Sequence, residues 1–134
     1  MKTVTILFAD NAPGFLKVRS EFLEAAGYRV AVANNPHEAR QLLEGGGIDL
    51  AVLDIRLVND DDEKDLSGLT LAKETAPGIP KIILTDYPSM ETVREALRPQ
   101  VGGLPAAVEF VSKLEGVDVL IQAIDRAIKD GNSA

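Results

Sequence analysis

The sequence predicts an α/β domain built on a parallel sheet, and three features indicate it. Short apolar runs alternate with helical patterns along the chain, as in βαβ units. The 134 residues are the length of one domain, and 46% of them are hydrophobic, which is enough for a buried core. Four of the apolar runs end on polar residues, and open α/β sheets bind ligands at the carboxyl ends of their strands.

An apolar run and a proline mark the first strand and the first helix. The run covers residues 4–9, and Pro13 is a favoured first-turn residue of a helix. Gly27 is suited to end this helix because glycine tolerates a positive φ. We expect the buried face of the helix to consist of the apolar residues at helical spacing, Phe15, Val18, Phe22 and Ala26.

The second strand, residues 28–33, leads into a helix with a recognisable start. Asn35 is the predicted N-cap, Pro36 lies in the first turn, and Glu38 is placed as the acid of a capping box. The glycines at 45–47 end this helix, and a third strand follows. The side chains expected to face inward are Ala39, Leu42 and Leu43.

The second half of the chain continues the alternation. A helical pattern over 67–75 precedes a strand at 82–84, Pro88 opens the fourth helix, and the fifth strand covers 108–111. Residues 131–134 are expected to be a frayed tail. The fourth helix is expected to bury Met90, Val93 and Leu97. The fifth helix is expected to bury Val117, Leu120, Ile121, Ile124 and Ile128.

Composition and charge exclude several classes of protein. The chain has no cysteine, so it forms neither disulfides nor thiolate metal sites. Its net charge of −7 argues against direct binding to nucleic acid, which favours a basic face. No apolar stretch is long enough to cross a bilayer. We therefore expect a soluble, cytoplasmic domain without membrane contact.

The polar residues at the strand ends suit a metal ion and a phosphoryl group. Asp10 and Asn11 follow the first strand and Asp54 ends the third, and hard oxygen ligands of this kind favour Mg²⁺. Two carboxylates about 4 Å apart repel each other by about 4 kcal/mol at a dielectric near 20, so a cation is favoured there. Thr85 supplies a hydroxyl, Lys113 supplies a positive charge, and Asp54 is the best candidate for a nucleophile that forms an aspartyl phosphate.

The chain resembles the receiver domain of two-component response regulators, from Thr3 to about Ala127. The resemblance implies a doubly wound, flavodoxin-like sheet of five parallel strands in the order 2-1-3-4-5, with helices on both faces. It also implies a receiver domain at 1–130, followed by a flexible tail at 131–134. Four segments carry the resemblance: residues 6–11, 53–57, 83–85 and 110–113.

The resemblance assigns the chemistry of phosphoryl transfer to particular residues. Asp54 falls on the phosphoacceptor, which takes a phosphoryl group from a sensor histidine kinase or a phosphotransfer protein. Asp10 and Asn11 fall on the paired acidic positions. The backbone carbonyl of Arg56 falls on the third protein ligand of Mg²⁺.

The resemblance also implies a switch that reaches an output protein or domain. Thr85 falls on the switch hydroxyl and Lys113 on the lysine that accompanies it. Phe110 falls on the aromatic residue that changes rotamer when the threonine shifts. The surface expected to change is formed by the fourth helix, the fifth strand and the fifth helix. The kinase, the output and a homodimer are left open.

Four departures from the family pattern leave an alternative open. Asn11 stands where a second acid is usual, Asp86 where a small residue is common, and Leu114 where a cis-proline is frequent. An acidic loop at 58–66, interpreted here as solvated, replaces a short turn that contains proline. The alternative function is a degenerate receiver that binds partners without being phosphorylated.

Two further classes are disfavoured by residues near the strand ends. A phosphatase with an aspartate nucleophile typically carries a second Asp two residues later, where this chain has Arg56. We therefore expect that the protein is not an enzyme. A flavodoxin-like cofactor binder would need a Ser/Thr cluster in the loop at 10–14, which offers Asp10 instead.

Overall fold

The computed structural model describes residues 3–59, 61–62, 64–85, 90–98 and 105–132. In this part of the chain, strands and helices alternate. The strands are β1 (Thr5–Ala9), β2 (Arg29–Ala33), β3 (Leu50–Asp54), β4 (Lys81–Thr85) and β5 (Glu109–Ser112). The helices are α1 (Pro13–Ala25), α2 (Pro36–Glu44), α3 (Ser67–Glu74), α4 (Met90–Leu97) and α5 (Val117–Asn132).

All the strands run parallel in the order β2-β1-β3-β4-β5, which confirms the predicted topology. β3 lies in the centre, and its last residue, Asp54, pairs in register with Leu84. Thr85 pairs with Ser112 on the next strand. The strands therefore end together, and the residues that follow them meet at one edge of the sheet.

Two hydrophobic cores lie on the two faces of the sheet, because successive side chains of a strand point to opposite faces. On β1, Leu7 and Ala9 enter the core covered by α2, α3 and α4. Ile6 and Phe8 enter the core covered by α1 and α5. Helices on both faces are thus confirmed.

The start of α2 follows the predicted capping pattern. The Asn35 side chain accepts a hydrogen bond from the Glu38 amide at 2.9 Å, and its own amide group donates to the Glu38 carboxylate at 2.9 Å. Gly46 and Gly47 after the helix have φ values of +81° and +84°, where glycine is favoured. Ala39 and Leu43 are buried, as expected.

The predicted buried face of α1 is wrong except for Phe15, which is partly buried and packs against the core. Leu16, Ser20 and Leu23 are the buried residues, whereas Val18 and Phe22 are 49% and 50% exposed. Ala26, also in the predicted stripe, is exposed and lies past the end of the helix. Two stripes with helical spacing coexist on this helix, and a serine interrupts the buried one. Ser20 is tolerated there because its hydroxyl donates to the Leu16 carbonyl at 2.6 Å.

The helices in the second half of the chain match the sequence predictions only in part. In α4, Ala96 is buried and Leu97 is 42% exposed, because the helix presents its small residue to the core. Pro88 and the side chain of Met90 lie outside the described residues. In α5, Leu120 and Ile124 are buried as expected, together with Ala123 and Ala127. The helix continues to Asn132, into the segment predicted to be a tail, and residues 133 and 134 lie outside the described residues.

None of the helices in the described part of the chain is long and apolar enough to cross a membrane.

Lys81, at the start of β4, is buried at 2% exposure although it is a cation. Its ammonium donates to the Ala76 carbonyl at 2.6 Å, and Ala76 has a φ of 48°. Lys81 thus stabilises a strained turn at the end of the sheet opposite the polar edge. Burial lowers the pKa of Lys81 from its ordinary value of 10.5 to about 8.

Lys81 should make the protein more stable in mild alkali. Between about pH 8 and pH 10.5 the unfolded chain holds a proton that the folded chain has released, so the free energy of unfolding rises with pH by up to about 3 kcal/mol. Lys81→Met should lack this rise, whereas Lys64→Met, in an exposed loop, should retain it. Denaturant unfolding at a series of pH values checks this. Parallel curves for the parent and Lys81→Met would contradict it.

Candidate functional site

The carboxyl edge of the sheet brings together the side chains that follow its strands. Asp10 follows β1 and is fully buried, and Asp54 ends β3 with 1% exposure. Thr85 ends β4 with 4% exposure, and Lys113 follows β5. Charged and polar groups are thus packed at the end of the hydrophobic sheet, where burial without partners is costly.

Lys113 links the two acids directly. Its ammonium lies 3.0 Å from Oδ2 of Asp54 and 3.0 Å from Oδ2 of Asp10. Burial lowers the pKa of the Lys113 ammonium, but the charges of Asp54 and Asp10 outweigh burial and raise the pKa overall. The lysine therefore stays charged, and it offsets the repulsion between the two carboxylates.

Phe15 forms a wall of this site, a position that the sequence pattern did not reveal. The Lys113 ammonium lies 5.0 Å from the centre of its ring, and the Arg19 guanidinium lies 4.5 Å from it. Phe8 meets the ring edge to face at 6.4 Å. Cation–π contacts of this kind contribute roughly 0.5 to 2 kcal/mol. One feature of the sequence could have indicated this position of Phe15 at the site: the residue follows Asp10 and Asn11 by about one helical turn.

Two buried oxygen atoms at the site accept no hydrogen bond from the described residues. They are Oδ2 of Asp10 and Oδ1 of Asn11; a third such atom, on Thr75, lies elsewhere. Asp10 Oδ2 has the Lys113 ammonium as its ion partner at 3.0 Å, so of the two atoms only Asn11 Oδ1 is left without a partner among the described residues. A buried oxygen is rarely left unpaired, so the Asn11 oxygen beside the Asp10 carboxylate suits a hard cation.

The metal-binding capacity of the site is limited by its charge. Among the residues that the structure describes, no three His, Cys, Asp or Glu side chains are grouped to hold a metal ion. A Mg²⁺ ion would therefore meet the carboxylates of Asp10 and Asp54 and the neutral amide oxygen of Asn11. The Asp10 carboxylate is fixed by its own turn, because its Oδ1 accepts from the Ala12 amide at 2.9 Å.

The segment after β3 is fastened to the start of α3. Asp54 Oδ1 accepts from the Arg56 amide at 3.2 Å, and Ser67 Oγ accepts from the amides of Leu57 and Val58 at 3.0 and 3.1 Å. The main chain around Arg56, whose carbonyl is the expected metal ligand, is therefore tied to the helix.

Asp65 organises the acidic loop, so this residue is not simply solvated. Its carboxylate accepts from the amides of Val58, Asn59 and Ser67 at 2.9, 2.6 and 2.9 Å. Burial raises the pKa of Asp65, but hydrogen bonds from Ser67 and from the loop outweigh burial and lower it overall. Residues 60 and 63 of this loop lie outside the described residues.

Thr85 and Phe110 lie on the same face of the sheet, on neighbouring strands. Phe110 pairs in register with Ile83, two residues before Thr85, and packs at the border of the core under α2, α3 and α4. The Lys113 amide donates to the Thr85 carbonyl at 3.1 Å, which connects the end of β4 to the lysine. Asp86 lies outside the described residues, and the side chain of Leu114 is 76% exposed.

The fold closely matches solved structures of similar domains. A receiver domain protein from Methanospirillum hungatei JF-1 superimposes with a TM-score of 0.83 and 24% identity, over 98% of both chains. NtrX from Brucella abortus in complex with ATP gives a TM-score of 0.79 and 23% identity, over 98% of this chain and 28% of NtrX. At these identities the matches show the fold alone.

Sequence comparison identifies the family. The chain is 32% identical to the transcriptional regulatory protein GlrR of Escherichia coli K12 over an alignment of 136 positions, which covers 99% of this chain and 28% of GlrR. It is 35% identical to ZraR of Klebsiella oxytoca over 95 residues, or 71% of this chain and 21% of ZraR. The chain thus spans about a quarter of the length of these relatives. A model of the response regulator receiver domain matches residues 6–125, and the chain belongs to that family.

Proposed function

We propose that this receiver domain accepts a phosphoryl group on Asp54 from the phosphohistidine of a sensor histidine kinase or phosphotransfer protein. One observation carries the proposal: the buried carboxylates of Asp54 and Asp10 share the Lys113 ammonium at 3.0 Å each, at the end of the central strand. A carboxylate beside a fixed cation suits attack on a phosphoryl group, whose charge the cation stabilises.

The transfer is a displacement at phosphorus. An oxygen of the Asp54 carboxylate forms the new O–P bond, and the P–N bond to the donor histidine breaks. The departing imidazole nitrogen keeps the bonding pair and takes up a proton. The Lys113 ammonium, 3.0 Å from Asp54 Oδ2, would stabilise the charge on the transferred group.

The residues that would hold Mg²⁺ are Asp10, Asn11, Asp54 and the backbone carbonyl of Arg56. The buried Asn11 oxygen, which accepts no hydrogen bond from the described residues, supports this assignment. When bound, the ion neutralises charge on the phosphoryl oxygens. Until then, Lys113 supplies the positive charge between the acids.

Phosphorylation would bias the domain between two conformations through Thr85 and Phe110. The hydroxyl of Thr85 would move toward the phosphoryl group, and Phe110 would follow into the space beside it. Both residues lie on one face of adjacent strands, which supports this coupling. The surface formed by α4, β5 and α5 would then change for an output protein or domain.

The output protein or domain on which the switch would act is also part of the proposal. GlrR and ZraR are named as transcriptional regulatory proteins, and this chain spans only about a quarter of each. The prediction of no direct contact with nucleic acid therefore has no support from these relatives. A location in the cytoplasm and the absence of catalytic turnover stay predictions, and whether the chain forms a homodimer stays open.

Intact-mass analysis with a small phosphodonor tests the proposed function. With Mg²⁺ and acetyl phosphate or phosphoramidate, the protein should gain a single phosphoryl group that is lost in acid and in base. Without Mg²⁺ the gain should be much slower. No adduct at saturating donor and Mg²⁺ would contradict the proposal and favour the receiver that acts without phosphorylation.

Restoring the second acid should tighten the metal site. Asn11→Asp adds a charge where a buried amide oxygen has no partner, and this should strengthen Mg²⁺ binding by roughly 1–3 kcal/mol, or about tenfold to a hundredfold. The metal-free variant should be less stable, because a third carboxylate joins Asp10 and Asp54. Mg²⁺ titrations of both proteins by calorimetry check this, with Asn34→Asp as the control. Equal or weaker binding in Asn11→Asp would show that another group already supplies the charge.

A further inference from the structure

Gly68, the second residue of α3, lies against the backbone of Asp54. A Cβ atom at this glycine would stand 1.9 Å from the Asp54 carbonyl oxygen, 2.8 Å from its carbon and 3.0 Å from Cα of Ile55. Real Cβ atoms essentially never approach other atoms closer than 3.0 Å. The helix therefore reaches this position only because residue 68 has no side chain.

Among the glycines that the structure describes, Gly68 alone would place a Cβ atom closer than 3.0 Å to another atom. At Gly14 and at Gly78, an added Cβ would meet nothing within 4 Å. The atoms that crowd Gly68 are main-chain atoms of β3 and the residue after it, which cannot rotate away as the end of a side chain would. A methyl group at residue 68 must therefore displace either α3 or the Asp54 backbone by about 1 Å.

Hydrogen bonds add to this close approach. Together they form what we call the clamp between the first turn of α3 and the segment that follows β3. The Gly68 amide donates to the Ile55 carbonyl at 3.0 Å. The Ser67 hydroxyl accepts from the amides of Leu57 and Val58. The first turn of α3 thus holds the main chain on both sides of Arg56, and it lies directly against the backbone of Asp54.

We propose that Gly68 is a positioning residue for phosphorylation: its missing side chain lets α3 set the Asp54 carboxylate and the Arg56 carbonyl in place. This inference rests on the proposed function of Asp54. Reacting groups that are misplaced by about 1 Å can lose about a hundredfold in rate. A side chain at residue 68 should therefore slow the transfer far more than it weakens donor binding.

Gly68→Ala tests this, with Gly78→Ala as the matched control. Under conditions in which circular dichroism shows both variants to be folded, the maximal rate with acetyl phosphate and Mg²⁺ should fall about a hundredfold in Gly68→Ala. The donor concentration at half-maximal rate should stay within about threefold of the parent, because donor contacts are retained. Gly78→Ala should match the parent in both values. A parent-like maximal rate in folded Gly68→Ala would overturn the proposal.

Mg²⁺ binding gives a readout that does not depend on phosphorylation. In the parent and Gly78→Ala, Mg²⁺ should shift the amide resonance of Arg56 in NMR spectra, and in Gly68→Ala the affinity from this shift should fall at least about tenfold. If the parent forms no adduct, the proposed function fails while this titration still decides the positioning role. Equal affinities would overturn that role.

If Gly68→Ala does not fold, Ser67→Ala tests the positioning role of the first turn of α3 instead. It removes the hydroxyl that holds Leu57 and Val58 without introducing a clash. The maximal rate of phosphorylation should fall about fivefold to tenfold, since part of the clamp remains. An unchanged maximal rate in a folded Ser67→Ala protein would overturn the clamp.

Discussion

Lys113→Ala is expected to destabilise the domain by about 3–5 kcal/mol, the cost of leaving buried charges without their partner. The ammonium lies 3.0 Å from both Asp10 and Asp54, and these side chains are almost completely shielded from water. Removing it leaves two buried carboxylates that repel each other. Denaturant unfolding of the parent and the variant without Mg²⁺ measures the loss.

Mg²⁺ should restore part of the stability lost in Lys113→Ala, because a cation between the acids replaces the missing charge. The same variant should lose most of the change in amide exchange that phosphorylation causes over residues 105–112, which include Phe110. Lys129→Ala, on the exposed side of α5, is the control and should behave as the parent. A loss of less than about 1 kcal/mol in Lys113→Ala would contradict the assigned role of the buried ion pairs.

Asp54→Asn is expected to abolish phosphorylation while it preserves the fold. An amide lacks the nucleophilic oxygen of a carboxylate, so no adduct should form even at saturating donor and Mg²⁺. The fold should survive because Lys113 keeps Asp10 as an ion partner at 3.0 Å. The rate of adduct formation, followed by intact mass, should fall at least about a thousandfold, in line with the loss of a catalytic nucleophile.

Asp61→Asn is the matched control for this substitution. Asp61 lies in the acidic loop and is exposed. Its replacement removes the same charge from the chain without touching the site, so adduct formation should match the parent. An adduct of parent-like rate in Asp54→Asn would show that another residue is the acceptor.

The topology and the residues of the polar edge were predictable because both depend on local pattern. Each apolar run is short and ends on a polar residue, and parallel strands bring their ends together. Asp10, Asp54 and Lys113 could therefore be grouped before their distances were known. The N-cap at Asn35 was predictable for the same reason, since its hydrogen bond spans three residues.

The features that escaped sequence analysis depend on three-dimensional distance. Gly68 is an ordinary glycine in the sequence, and its importance appears only in its approach to Asp54 across a loop. Phe15 was assigned to a buried stripe; it is partly buried, but its ring also contacts the ammonium of Lys113, which follows β5. On α1, two competing stripes had helical spacing, and the pattern alone did not reveal that Leu16 and Leu23 face the core.

Chemical trapping of the acceptor tests the central claim most directly. Borohydride reduces an aspartyl phosphate to homoserine and releases phosphate, so the acceptor is marked permanently. After incubation with Mg²⁺ and acetyl phosphate, peptide mass spectrometry should find homoserine at residue 54 and at no other acidic position. Homoserine at Asp10 or in the acidic loop, or none in a protein incubated with saturating donor and Mg²⁺, would contradict the account.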